Sequence, residues 1–176
     1  MRVIAGSAKR IGLVAPLGVT TRPTSDMAKE NLFNIIAAQI VGATFLDLFC
    51  GSGAIGLEAL SRGASNAILV DNSKTAIAAV KQNIAKTKLP ATILEMAVED
   101  ALNSFRLSNI KFDIIFLDPP YGESLAVKTL EMIVTSDILA TGGTIILEND
   151  IELTAPSTLE LTDIRKYGRT FFMFFE

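Results

Sequence analysis

The 176-residue chain contains no histidine and no tryptophan, and its one cysteine is Cys50. A lone cysteine excludes a disulfide framework within the chain and any multi-cysteine zinc site. Without histidine there is no usual general base for neutral pH, no His-based triad and little scope for zinc, so no metal is expected. Chemistry must then come from carboxylates, amides, a borrowed cofactor or one of only two tyrosines. Long apolar runs are also missing: AILV and DIIFL are far too short to span a bilayer. The stretch MRVIAGSAKRIG has no apolar centre of the signal-peptide kind, which predicts a cytoplasmic protein without a membrane partner. Excess positive charge is lacking as well, since the net charge is −3. No overall field announces a nucleic-acid partner.

What is present begins with a hydrophobic content of 49%, enough for a sizeable core, in a length that fits one domain. Charge is unevenly spread. Residues 1–30 hold five basic side chains (Arg2, Lys9, Arg10, Arg22, Lys29) against two acids, Asp26 and Glu30, a balance of +3 that leaves −6 for the remainder. A basic arm on an acidic body suits RNA docking, although a solvated hairpin explains the same charges.

RVIAG and RIGLVAP are β-rich and predict an N-terminal hairpin. TRPTSD supplies a proline and cap residues, and DMAKENLFNIIAAQI carries apolar residues at helical spacing, so a helix starts near Thr24–Asp26. From Ala43 onward strand and helix patterns alternate: TFLDLFC, AIGLEALSRG, NAILVD, SKTAIAAVKQNIAKTK, ATILEM, VEDALNSFRL, KFDIIFLD, SLAVKTLEMIVTS, GGTIILEN. Such alternation predicts an α/β fold with a mostly parallel sheet covered by helices on both faces. The tail reads as two strands joined around Tyr167–Gly168 with no helix between them, hence an antiparallel end. The organisation expected is an arm of residues 1–42, too small to fold alone, on a body of residues 43–176.

DLFCGSGAIG places Gly51, Gly53 and Gly56 between a strand and a helix. Glycines allow a tight turn and close approach of a ligand, and the helix start offers free N–H groups. Asp71 ends the next strand, where an acid can hold the two hydroxyls of a ribose. The pattern fits NAD or S-adenosylmethionine. Asp47 tilts the choice, because a carboxylate at that point repels a pyrophosphate and attracts an ammonium. Asp100, after the third strand of the body, is placed to accept from an adenine amino group, or else simply favours a helix dipole.

FLDPPYG breaks a strand with Asp118, Pro119, Pro120 and Tyr121. The prolines donate nothing and stiffen the loop, so the Pro119 carbonyl stands as an acceptor beside the Asp118 carboxylate. Two neighbouring acceptors match an –NH₂ group, and Tyr121 offers a ring on which a flat base can stack.

With these segments in place the chain resembles the class I S-adenosylmethionine-dependent amino-methyltransferases. MRVIAG, TRPTSDMAKENLFNII, DLFCGSGAIGLEALSRGA, FDIIFLDPPY and KYGRT resemble, in order and spacing, the RsmD family of bacterial small-subunit rRNA guanine-N2 methyltransferases. Cys50 and Asp71 stand where that family more often has alanine and glutamate. The resemblance implies a Rossmann-like class I methyltransferase fold and methyl transfer to a guanine N2 of 16S rRNA, free or in the assembling small subunit. It implies catalysis by Asp118, Pro119, Pro120 and Tyr121. S-adenosylmethionine would be held by Asp47, Phe49, Gly51, Ser52, Gly53, Asp71, Asn72, Glu99 and Asp100. Lys9, Arg10, Arg22, Thr24 and Lys29 would meet RNA. Other readings keep the same loop but change the substrate, to adenine N6 in DNA or protein glutamine. An NAD-binding oxidoreductase leaves DPPY unexplained, and a non-catalytic RNA-binding module leaves both loops without a role.

Overall fold

A computed structural model describes residues 1–17, 24–120, 122–154 and 156–176. After the N-terminal arm come α1 (Asp26–Ile35) and α2 (Ala37–Ile40). The body runs β1 (Thr44–Leu48), α3 (Ala54–Ser61), β2 (Asn66–Asp71), α4 (Lys74–Thr87), β3 (Thr92–Glu95), α5 (Val98–Leu107), β4 (Phe112–Leu117), α6 (Gly122–Ser136), β5 (Leu139–Asn149), β6 (Leu161–Tyr167) and β7 (Thr170–Phe175). The strands form one sheet in the order β3-β2-β1-β4-β5-β7-β6. The first five are parallel, and β7 lies antiparallel between β5 and β6. This is the expected doubly covered α/β sheet with its antiparallel end.

Alternation along the strands sorts the core into two halves. Phe45, Leu69, Ile114, Phe116, Ile146, Phe172 and Phe174 face α1, α2, α3 and α4. Leu46, Leu48, Ile68, Val70, Ile115, Leu117 and Leu147 face α5 and α6. The order reverses between β1 and β4, the switch point at which open α/β sheets bind ligands beyond their carboxyl ends.

The arm forms a short version of the predicted hairpin, in which Val3 N–H donates to the Ile11 carbonyl at 3.0 Å, Arg10 N–H to the Val3 carbonyl at 2.8 Å and Leu13 N–H to the Met1 carbonyl at 3.2 Å. Its two limbs share one isolated bridge, Arg2 with Gly12. Beyond those bonds the arm's backbone turns to helices. Ile4 and Ala5 donate to the Glu58 carboxylate at 2.7 and 3.0 Å, and Ala8 donates to Ser61 Oγ at 3.0 Å. Asn83, fully buried, accepts from Val14 N–H at 2.8 Å and donates to the Val14 carbonyl at 3.0 Å. The helix after the arm starts where expected, with Ser25 as cap accepting from Ala28 N–H at 3.0 Å.

Candidate active site

Four carboxylates converge at the carboxyl ends of the central strands. Asp47 on β1 is in register with Leu69 and Phe116, and Phe116 with Ile146. Two residues further on, the same face carries Asp71, Asp118 and Glu148. All four therefore lie on the side of the sheet that holds α1 to α4. None of them forms a salt bridge with a lysine or arginine among the described residues.

The glycine turn is bent by three left-handed residues, Phe49 (φ 61°), Gly51 (φ 54°) and Gly53 (φ 72°). Phe49 bears strain that a glycine would avoid, a feature that clusters at ligand sites. Around Gly51 the space where a Cβ would sit is open, so a ligand can reach the backbone there. Asp71 braces this turn: one oxygen accepts from Gly51 N–H at 2.9 Å and the other from Ser73 N–H at 2.8 Å. Ser52 is tied by its carbonyl to Asn83 Nδ2 at 2.9 Å, and its Oγ reaches Met1 Sδ at 3.3 Å. Asn83 thus clamps both the arm and the cofactor loop, a link that nothing in the sequence pattern signals.

Asp47 is 1% exposed and accepts from Gly56 N–H at 2.9 Å. Burial pushes its carboxyl up to about 8 despite that bond, and the charges of Asp118 and Asp71 add to the push. Glu148 is buried, and Thr24 Oγ1 donates to its Oε2 at 2.6 Å. Its carboxyl is raised by burial and then by Asp118. Asp118 itself stands exposed at the mouth of the crevice. Desolvation by the surrounding protein raises its carboxyl, and the Asp150 charge adds to this. The next residues are Pro119, buried, and Pro120, exposed.

An acid crevice of this kind is short of positive charge. It fits a ligand that brings an ammonium and a sulfonium and no phosphate, as S-adenosylmethionine does. Among the described residues no group of histidine, cysteine or acidic side chains is arranged to hold a metal ion.

The other sequence-derived positions are less uniform. Asn72 and Asp100 are exposed, beyond β2 and in the first turn of α5, at the same sheet edge. Glu99 is exposed and paired with Lys128 of α6. Lys9 and Arg10 are exposed and share a notch with Arg2 and Glu30. Thr24 sits at the crevice, on Glu148. Lys29 is turned inward against the expectation of an RNA contact: it is 1% exposed, its ammonium 3.4 Å from Glu58 and 2.6 Å from the Arg2 carbonyl. Burial lowers its pKa, with Glu58 opposing that shift. Arg22 and Tyr121 lie outside the described residues. Glu148 is the residue that sequence reasoning missed, although it ends a parallel strand just as Asp71 does.

Comparison with known proteins decides the family. The model of the family described as "Conserved hypothetical protein 95" matches residues 1–176. The putative rRNA methyltransferase YlbH of Bacillus subtilis is 41% identical over 175 residues, 97% of this chain and 95% of its own length. Ribosomal RNA small subunit methyltransferase D of Escherichia coli is 33% identical over 157 residues, 89% of this chain and 78% of its own. The chain belongs to the RsmD family. Among solved structures, the putative methyltransferase yhhF from Escherichia coli superposes with a TM-score of 0.85 at 31% identity, covering 99% of this chain and 96% of that one. The Thermus protein TTHA0928 gives 0.89 at 30% identity, covering 100% and 99%. Family membership and these neighbours agree with the Rossmann-like class I methyltransferase fold read from the sheet order, and they make the chain a methyltransferase.

The unpaired acids carry a prediction. Asp47 has a folded pKa above its unfolded value. Its favourable contribution to stability is therefore fully present below the unfolded pKa of 3.8 and is lost as pH rises toward about 8. The ligand-free protein should melt several degrees higher at pH 5.5 than at pH 8, by scanning calorimetry. Asp47→Asn should lessen that dependence, leaving the share of the raised Glu148 and Asp118 carboxyls. Unchanged dependence in the variant would remove Asp47 as its source.

Proposed function

We propose that this protein transfers the methyl group of S-adenosylmethionine to the exocyclic N2 of a guanine in small-subunit (16S) rRNA. The observation that carries the reading is that Asp118 and Pro119 follow β4 directly at the switch point, beside the acidic crevice; there the carboxylate and the Pro119 carbonyl would serve one amino group as two acceptors. When bound, S-adenosylmethionine supplies a methyl already activated by its positive sulfur.

The chain's own residues do the rest. Asp47 faces the ammonium, Asp71 holds the glycine turn in shape while keeping lone pairs for a ribose, and Asp100 is placed for the adenine edge. Phe49, Ser52, Asn72 and Glu99 line the same edge in the assignment made from the sequence. Asp118 and the Pro119 carbonyl accept hydrogen bonds from the N2 amino group, favouring a pyramidal nitrogen with its lone pair toward the methyl. Tyr121 stacks on a base that has left its helix or loop. A carbon–nitrogen bond forms as the carbon–sulfur bond breaks, and the spare N2 proton leaves to Asp118 or to water. Positioning and electrostatics suffice for such a step, so the lack of histidine is no obstacle.

The substrate is rRNA, free or within the assembling small subunit, and in bacteria that implies the cytoplasm. Among the described residues no helix is long and apolar enough to cross a membrane. Incubation with labelled S-adenosylmethionine and small subunits or rRNA from a strain lacking this enzyme tests the reading. N2-methylguanosine in the digested rRNA is the expected product. Label confined to DNA adenine or protein glutamine would replace the substrate, and absence of cofactor binding would overturn the reading.

On the arm, Arg2, Lys9 and Arg10 surround one notch and suit phosphate contacts, which give affinity and position. Lys9→Ala with Arg10→Ala should raise KM for rRNA. It should also lower the slope of log affinity against log salt by about one or two, with cofactor affinity unchanged. Lys29→Ala, by contrast, should act on stability alone.

A further inference from the structure

Glu148 lies beside Asp118 and has no part in the steps above. The register Leu117 with Leu147 makes Asp118 and Glu148 neighbours across adjacent parallel strands, both on the α1 side of the sheet. Thr24 Oγ1 fixes one carboxyl oxygen, Oε2, at 2.6 Å. The other, Oε1, has no hydrogen bond among the described residues. A buried carboxyl held in one orientation beside the amino-group acceptors is an arrangement that reads a base.

We propose that Glu148 confers the preference for guanine by accepting its N1–H while Asp118 and Pro119 take the N2 amino group. The inference rests on the methyl-transfer reading given above. Asp118 with the Pro119 carbonyl would serve any exocyclic amino group, whether of adenine, cytosine or guanine. The ring nitrogen next to that group differs. In guanine it is N1–H, a donor; in adenine N1 and cytosine N3 it is a bare acceptor. A third acceptor beside the first two therefore matches guanine alone. Neighbouring strands are about 4.8 Å apart, the right scale for two carboxyls to meet adjacent atoms of one base edge. Against adenine or cytosine, the Glu148 carboxylate would face a lone pair. Sites built around a hydrogen bond reject such analogues far more strongly than apolar pockets do.

The test uses small subunits reconstituted with 16S rRNA in which the target guanosine is kept or replaced by 2-aminopurine, which has the same amino group beside a bare N1. Assays are run at pH 8.5 to favour the carboxylate. The wild type should favour guanosine in kcat/KM by at least about a hundredfold. Glu148→Gln, whose amide can donate to N1, should bring the ratio below about tenfold while binding S-adenosylmethionine normally by calorimetry. Glu148→Asp should keep the preference at a lower rate. If Glu148 only supports α1 through Thr24, Glu148→Gln will slow both substrates alike and keep the ratio, which overturns the proposal. A wild type without preference also overturns it. Failure of the wild type on guanosine itself brings down the methyl-transfer reading, and this inference with it.

Discussion

Asp118→Ala is expected to lower kcat on rRNA by a hundred- to a thousandfold or more, on the order seen when one hydrogen-bonding group is removed from a reacting centre. Cofactor affinity should change little, because Asp118 stands at the mouth of the crevice while Asp47 and the glycine turn lie inside it. The variant removes an acceptor whose interaction strengthens as N2 becomes pyramidal, so the loss belongs in kcat rather than in KM. Asp118→Asn is the informative companion. An amide oxygen still accepts one hydrogen bond, so part of the rate should survive. Single-turnover methyl transfer with each variant, alongside calorimetric S-adenosylmethionine binding, separates these effects. A variant that binds cofactor and RNA and still turns over at the wild-type rate would remove Asp118 from the chemistry.

Gly6→Ala should be the most damaging single change in the arm. Gly6 has φ 81°, and a Cβ there would stand 1.7 Å from the Ser61 carbonyl oxygen. That obstacle is backbone at the end of α3, which cannot swing aside as a flexible side chain would. Left-handed strain costs about 1–2 kcal/mol and overpacking about 1–3 kcal/mol, so the sum is a large part of a domain's stability. The arm should detach, or the whole chain should lose several degrees in Tm. Proteolysis would distinguish the two, since a detached arm is cut first. Detachment would also take the Ile4 and Ala5 N–H groups from the Glu58 carboxylate and the Arg2 carbonyl from the Lys29 ammonium.

The body was legible because its signals are local. Alternating β-rich and helical segments gave the parallel sheet, and the missing helix between the last two strands gave the antiparallel end. The glycine turn and the DPPY loop were legible for the same reason: each is one short stretch whose chemistry is carried by adjacent residues. What could not be read is held by partners far apart in the chain. Lys29 looks like a basic-arm residue until Glu58, on another helix, takes its ammonium. The hairpin expected from RVIAG and RIGLVAP stays short because Glu58, Ser61 and Asn83 take the backbone of Ile4, Ala8 and Val14 around its cross-limb bonds. Asp71 was read as a ribose ligand, and the turn it braces was hidden because Gly51 lies twenty residues earlier. Glu148 is a different case. The rule that picked out Asp71, an acid ending a parallel strand, applied to ILEND as well.

The strand order has a consequence for the nascent chain. β6 is made before β7, yet it reaches the sheet only through β7, which carries the buried Phe172, Met173, Phe174 and Phe175 into the gap beside β5. Until residues 170–175 have emerged, β5 presents an open, apolar edge and β6 has nothing to join. Such edges pair readily with other chains. Assembly of the sheet must therefore be a late, nearly single event in synthesis. A chain interrupted between the two strands would be a template for aggregation rather than a shorter working enzyme.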